Sequence, residues 1–78
     1  MSRHLADRLD VLERRAGDLR RREAEARREY GKLAAQHLEA GNRGRGLERA
    51  ERDLAALRLD LQRVEAAAEH WRRESRRH

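Results

Sequence analysis

The chain of 78 residues contains no proline, cysteine or phenylalanine, and its aromatic residues are Tyr30 and Trp71. Without cysteine there can be no disulfide, thiolate metal ligand or cysteine nucleophile. Strands are disfavoured, because β-branched and aromatic residues are so few. No apolar run approaches the ~20 residues that span a membrane, and no signal-peptide core follows Met1. We therefore expect a small, soluble, cytoplasmic protein that does not enter a membrane.

Four helix-favouring residue types dominate what is present. Arg, Ala, Leu and Glu account for 53 of the 78 residues. Such a composition, combined with a seven-residue apolar repeat, is typical of long helices and coiled coils. The length allows one domain at most, with too few large apolar residues for a thick core. The composition therefore predicts a single all-α domain.

One glycine-rich segment, Gly-Asn-Arg-Gly-Arg-Gly, divides the chain into two arms. Gly41 stands where a left-handed C-cap would end the first helix, and either Asn42 or Gly46 would cap the second. A short glycine-rich break between two helical patterns is typical of an αα-hairpin. We predict one helical hairpin over residues 1–78, with helices at 3–40 and 47–76 and a turn at 41–46.

Both arms repeat apolar residues at alternating intervals of four and three, the spacing of a coiled-coil seam. The seam positions are Leu5, Leu9, Leu12, Ala16, Leu19, Glu23, Ala26, Tyr30, Leu33 and His37, then Leu47, Ala50, Leu54, Leu57, Leu61, Val64, Ala68, Trp71, Ser75 and His78. Glu23 is the polar member in mid-seam; it would either set the register or extend to solvent. The fold prediction is an antiparallel two-helix coiled-coil hairpin.

The turn position also suggests a register. Folding the arms back on each other pairs residues whose numbers sum to about 87, so that Leu33 faces Leu54 and Trp71 faces Ala16. Residues before Leu9 would then overhang. The side chains expected to be most protected are Leu19, Leu33, Leu54, Leu57, Leu61 and Trp71.

A single two-helix seam is thin support for an isolated chain. Outside it, the second arm carries small apolar residues at helical spacing, and the candidates for partner contact there are Ala55, Leu59 and Ala66. The first arm repeats Gly17, Ala24 and Gly31 at one heptad position. This strip either allows close approach of a partner helix or is tolerated on an exposed face. We expect two hairpins to form a four-helix homodimer, or one hairpin to dock on another protein.

Charge is abundant and nearly balanced, with 20 basic and 15 acidic residues. Long-range attraction to nucleic acid should therefore be modest. Nineteen of the basic residues are arginine. A GC-rich coding sequence would explain this bias, and so would selection for bidentate contacts to phosphate or carboxylate.

The arginines concentrate at residues 14–28 and 70–78, whereas residues 47–69 are net acidic. An antiparallel hairpin brings the two basic segments to the end opposite the turn. The candidate partner-binding residues there are Arg14, Arg15, Arg20, Arg21, Arg22, Arg72, Arg73, Arg76 and Arg77. They would bind phosphates or an acidic protein surface; alternatively, the tail is solvated and favourably placed at a helix C-terminus.

No residue pattern supports catalysis. The histidines at 4, 37, 70 and 78 are scattered, and no His-x3-His or Glu-x-x-His pair exists to build a helical metal site. Ser2 and Ser75 lie near the termini, and the glycine-rich segment is neither a Walker loop nor a dinucleotide fingerprint. We expect no enzymatic activity, no metal and no cofactor.

Three residues of the second arm carry a resemblance. Glu51, Arg58 and Gln62 have the spacing of the Glu-x3-Ser-x2-Arg-x3-Gln-x3-Asp motif of RsiG-type anti-sigma factors. The resemblance implies an antiparallel coiled coil that binds cyclic di-GMP through these residues. The match covers 16 residues and departs from the motif at Ala55 and Ala66, which replace its Ser and Asp.

The preferred hypothesis is a protein–protein interaction module, a small coiled-coil adaptor or regulator. The alternative is a basic hairpin that binds nucleic acid or a nucleotide, either like the RsiG-type proteins or like Rop-type RNA-binding hairpin dimers. The latter are similar in length and architecture only. Two aromatic residues leave little for base stacking, which disfavours this alternative.

Overall fold

The computed structural model describes residues 3–40 and 45–77. Helix α1 spans Arg3–Ala40 and helix α2 spans Arg45–Arg76. The two helices pack along each other as a rod of 58 × 14 × 14 Å. The predicted all-α helical hairpin is confirmed.

The helix ends follow local chemistry. Because α2 begins at Arg45, Gly46 lies inside its first turn and does not cap it. Glu48 in the first turn and Arg76 in the last complement the helix dipole. At the C-terminus, the backbone N–H of Arg77 donates to the carbonyl of Glu74 at 3.2 Å and tightens the final turn. The proposed caps Gly41 and Asn42 lie outside the described residues.

The core is a single narrow stripe. Within the described part of the chain, the buried apolar side chains are Ala16, Leu19, Leu47, Leu54 and Ala68, all at predicted seam positions. Of the six side chains expected to be most protected, the other four are only half-buried: Leu33, Leu57, Leu61 and Trp71. Side-chain length does not decide burial here, because Leu19 and Leu54 are buried whereas the seam alanines Ala26 and Ala50 are half-buried.

The register differs from the predicted one. Trp71 lies beneath the guanidinium of Arg8, whose Cζ is 4.9 Å from the ring centroid, although the predicted register leaves Arg8 overhanging. At the other end, a Cβ built on Gly46 would lie 4.0 Å from Leu33 Cδ2, although Leu54 was the expected neighbour. Contacts between the helices join residues whose numbers sum to between 79 and 85, so the displacement from the predicted register reaches up to about one heptad. Such a shift keeps the seam residues at the interface. The apolar repeat alone therefore does not distinguish these registers.

Replacing Leu54 with Ala tests the seam. Leu54 is 6% exposed, so the Leu54→Ala variant should lower the free energy of unfolding by about 2–5 kcal/mol through lost burial and a residual cavity. Urea denaturation followed by circular dichroism measures this change.

The matched control is Leu59→Ala, because Leu59 lies on the same helix but is 46% exposed. This variant should change the free energy of unfolding by less than about 1 kcal/mol. Equal losses at the two leucines would contradict the burial pattern of the hairpin.

Candidate interaction surfaces

Two long sides flank the seam, and one of them is crossed by ion pairs. Glu13 Oε1 lies 3.3 Å from Arg72 Nη2, and Arg20 Nη2 lies 3.3 Å from Glu65 Oε1. Each of these residues directly follows a seam residue, so all four lie on the same side of the hairpin. We call this the bridged side.

The seam carboxylate Glu23 also joins the helices. Arg27 on α1 donates to it, and Arg58 Nε on α2 lies 3.3 Å from Glu23 Oε1. The Glu23 side chain is only 12% exposed. Further toward the turn, the Tyr30 hydroxyl donates to Glu51 Oε1 at 3.4 Å. Polar contacts therefore extend along the bridged side from Glu13 to the level of Tyr30.

These contacts shift the ionisation of two carboxylates. The hydrogen bond from Arg27 is the largest cause that lowers the pKa of Glu23 below its usual 4.5, with Arg58 adding to it and partial desolvation opposing it. The hydrogen bond from Arg72 similarly lowers the pKa of Glu69. Neighbouring arginines thus extend the ionised range of both carboxylates to lower pH.

The opposite side, which we call the open side, has a different character. It carries two series of residues at seven-residue spacing: Arg8, Arg15, Arg22, Glu29 and Gln36 on α1, and Gly46, Asp53, Asp60, Ala67 and Glu74 on α2. The contacts of Arg8 with Trp71 and of Gly46 with Leu33 place both series beside the seam.

Most charges of the open side are not paired, although Arg8 stacks on Trp71 and Glu74 pairs with Arg77. Within the described residues, no ion pair or side-chain hydrogen bond involves Arg15, Arg22, Glu29, Asp53 or Asp60. All five are exposed. This side therefore presents charges available to another molecule.

Most of the arginines predicted to bind a partner are engaged within the hairpin. Arg14 Nη2 lies 2.9 Å from Asp10, Arg21 pairs with Asp18, Arg73 Nε lies 3.4 Å from Glu69, and Arg77 Nη1 lies 3.7 Å from Glu74. Arg20 and Arg72 belong to the bridged side, and Arg76 acts electrostatically on Glu69. Among the nine, Arg15 and Arg22 stand apart as unpaired members of the open side.

The observed register also separates part of this group. Arg72 lies level with Glu13, whereas Arg20 lies level with Glu65, one turn or more farther along the rod. The C-terminal arginines are therefore neighbours of Arg14 and Arg15 and stand away from residues 20–22. The basic charge is spread along the rod rather than gathered at one end.

The small-residue surfaces lie open. Ala55, Leu59 and Ala66 are all exposed on α2. A Cβ built on Gly17 or Gly31 would meet no atom within 4 Å. The two glycines are therefore not required by the packing of α1 on α2.

The candidate nucleotide ligands are partly occupied by other contacts. Glu51 accepts a hydrogen bond from Tyr30, and Arg58 pairs with Glu23, whereas Gln62 is exposed. A nucleotide would have to displace two contacts that join the helices. Ala55 and Ala66 add no polar atom beside these three residues.

Sequence reasoning missed two features of the open side. Val11, 63% exposed, lines a shallow groove with Arg15, Leu19 and Arg22. Asp53 and Asp60 lie across the seam from this series. Their seven-residue spacing was the available signal, because residues one heptad apart share a side of the hairpin.

Comparison with models of protein families, with curated proteins and with solved structures finds no match for this chain. Within the described residues, no group of three or more histidine, aspartate or glutamate side chains is arranged to hold a metal ion. Neither described helix has a stretch long and apolar enough to cross a membrane. The surfaces themselves are thus the basis for a functional hypothesis.

Neutralising Glu23 tests the polar contact in the seam. Because the pKa of Glu23 is lowered in the folded chain, its charge stabilises the fold above pH 4.5, and this contribution disappears as the pH falls below 4.5 through the folded-state pKa. The Glu23→Gln variant should have a lower urea midpoint than the native chain at pH 7, and the difference should shrink toward pH 3.

Glu25→Gln is the matched control, because Glu25 is exposed and has no ion-pair partner in the described part of the chain. Its urea midpoint should follow the native chain at each pH. A Glu23→Gln difference independent of pH would mean that the carboxylate charge does not stabilise the hairpin.

Proposed function

We propose that this hairpin is a non-enzymatic protein–protein interaction module, a small adaptor or regulator that docks by its helical faces. The main support is that few apolar side chains are buried, whereas several large apolar side chains are exposed. Five apolar side chains are buried in the described part of the chain, while Val11, Leu38 and Leu59 remain 63%, 83% and 46% exposed. Such a rod offers contact surface along its length.

The arrangement of charge supports the same proposal. Surface ion pairs contribute little to folding, typically ~0–1 kcal/mol each, but they fix which charges remain free for a partner. On the bridged side the charges satisfy each other, and on the open side they do not. A face with both signs unpaired suits a protein partner, whose surface also mixes both signs.

The nucleic-acid alternative has less support. Phosphate binding uses free arginines, which neutralise phosphates and so release the counterions condensed on the nucleic acid. Most arginines at the predicted basic end already face carboxylates within 4 Å. Both aromatic rings lie half-buried at the seam. Few groups remain for stacking on bases.

Photo-crosslinking in cells that express the chain tests the proposal. A photoreactive benzoylphenylalanine at position 11 or 59 replaces an exposed apolar side chain and should give one or a few discrete crosslinked protein species on irradiation. The matched control places the same group at position 28, where Arg28 is exposed and unpaired in the described structure. This control should give much weaker crosslinks.

Equal crosslinking at all three positions would indicate random collisions and contradict the proposal, as would no crosslinking at any of them. Absorbance of the purified full chain at 260 and 280 nm provides the second measurement. A protein-like ratio is expected; a nucleotide that remains bound through purification would favour the nucleotide-binding alternative instead.

A further inference from the structure

Ion pairing between the helices is confined to one side of the rod. In the described structure, Glu13–Arg72 and Arg20–Glu65 cross the bridged side, and Arg58 reaches Glu23 from the same side. Nothing equivalent forms between the charged residues described on the open side. The same chain thus uses its charges internally on one side and leaves them free on the other.

The free charges are ordered along the rod. Arg15 lies toward the end where Trp71 packs beneath Arg8. Glu29 directly precedes Tyr30, which bonds to Glu51, so Asp53 lies near the level of Glu29. Unpaired basic charge therefore occupies one half of the open side and unpaired acidic charge the other half, because Glu74 in the basic half is paired with Arg77.

The middle of the open side carries both signs. Arg22 directly precedes Glu23, which pairs with Arg58, so Asp60 on α2 lies near the level of Arg22. Lys32 and Arg49 flank the acidic half from the next row of each helix, the row that on α1 also holds Val11. The series next to the seam thus runs from basic through mixed to acidic.

From this order we infer that the open side is a homodimer interface, with a second copy of the chain packed antiparallel against it. This inference rests on the proposed protein-docking function and names the partner. A two-fold axis near Arg22 and Asp60 places Arg15 of each copy against Glu29 of the other, with Asp53 beside it. Because the interface is isologous, every such contact occurs twice.

The size of the face fits this assembly. One long face of a rod of 58 × 14 × 14 Å covers about 800 Å², which matches the area that each partner buries in a standard protein–protein interface. The groove of Val11 and Leu19 lies on this face and would receive apolar cover. The half-buried seam leucines would also gain a second layer, as in a four-helix bundle.

Single charge reversals test the contact between Arg15 and Glu29. In an Arg15→Glu homodimer both symmetric contacts become repulsive, and the same holds in a Glu29→Arg homodimer. Each variant alone should therefore dimerise at least tenfold more weakly than the native chain. Sedimentation equilibrium of the full chain over a range of concentrations measures the dissociation constant.

Mixing the two variants provides the decisive measurement. In a heterodimer of Arg15→Glu with Glu29→Arg, each reversed residue meets an opposite charge, so an equimolar mixture should recover most of the dimer. The control is Arg28→Glu, which makes the same charge change at an exposed position outside the open side. It should dimerise like the native chain, and circular dichroism should show equal helix content in all variants.

Two results would overturn the inference. One is a native chain that remains a 9.2 kDa monomer at millimolar concentration in low salt. The other is a native dimer that the Arg15 and Glu29 variants weaken no more than Arg28→Glu does, because the copies would then meet through another face. The protein-docking function is judged separately by crosslinking at position 59, which lies outside the open side, so its failure and the failure of the dimer are distinguishable.

Discussion

Burial of one aliphatic stripe between two helices is the constraint on which the rest of the hairpin depends. Ala16, Leu19, Leu54 and Ala68 are almost inaccessible, and outside this stripe most described residues contact solvent. The stripe is as narrow as two helices allow, because each helix covers its neighbour from one direction. Apart from Leu47, the other described side chains, including those in ion pairs and the remaining leucines, are half-buried or exposed.

The narrow apolar stripe does not by itself determine the register between the two helices. Since the apolar repeat is the same after seven residues, sliding one helix by a heptad exchanges one set of seam contacts for another of similar quality. Polar contacts break this near-equivalence. Glu23 pairs with Arg58, and Trp71 packs beneath Arg8, and both contacts require the observed alignment. Individually weak surface interactions can therefore select one arrangement when the apolar alternatives are closely matched.

The apolar stripe forms the hairpin and the polar contacts select its register. This difference explains what the sequence could predict. The helical hairpin was predictable, because its signals are local and repeated: the four-three spacing, the helix-forming composition and one glycine-rich break. The register was not predictable, because the four-three spacing stays the same when one helix is shifted by seven residues. The predicted neighbours of Leu33 and Trp71 across the seam were therefore wrong, although both are seam residues. The role of the arginine cluster stays a prediction. Four of its ion pairs, such as Arg14 with Asp10, lie within one helix and follow from the sequence spacing, whereas the pairs of Arg20 with Glu65 and of Arg72 with Glu13 depend on the register.

The same heptad geometry separates the charges by function. In an antiparallel pair, residues that follow the seam positions of both helices face each other on one side, and residues that precede them face each other on the other side. Here the first set alternates in sign across the helices, as in Glu13 with Arg72, and satisfies itself. The second set places Arg15 toward one end and Glu29 toward the other, so each lacks a counterpart at its own level. Arg15 and Glu29 become complementary to each other when a second rod is turned end over end, and this is the basis for proposing a second copy as the partner.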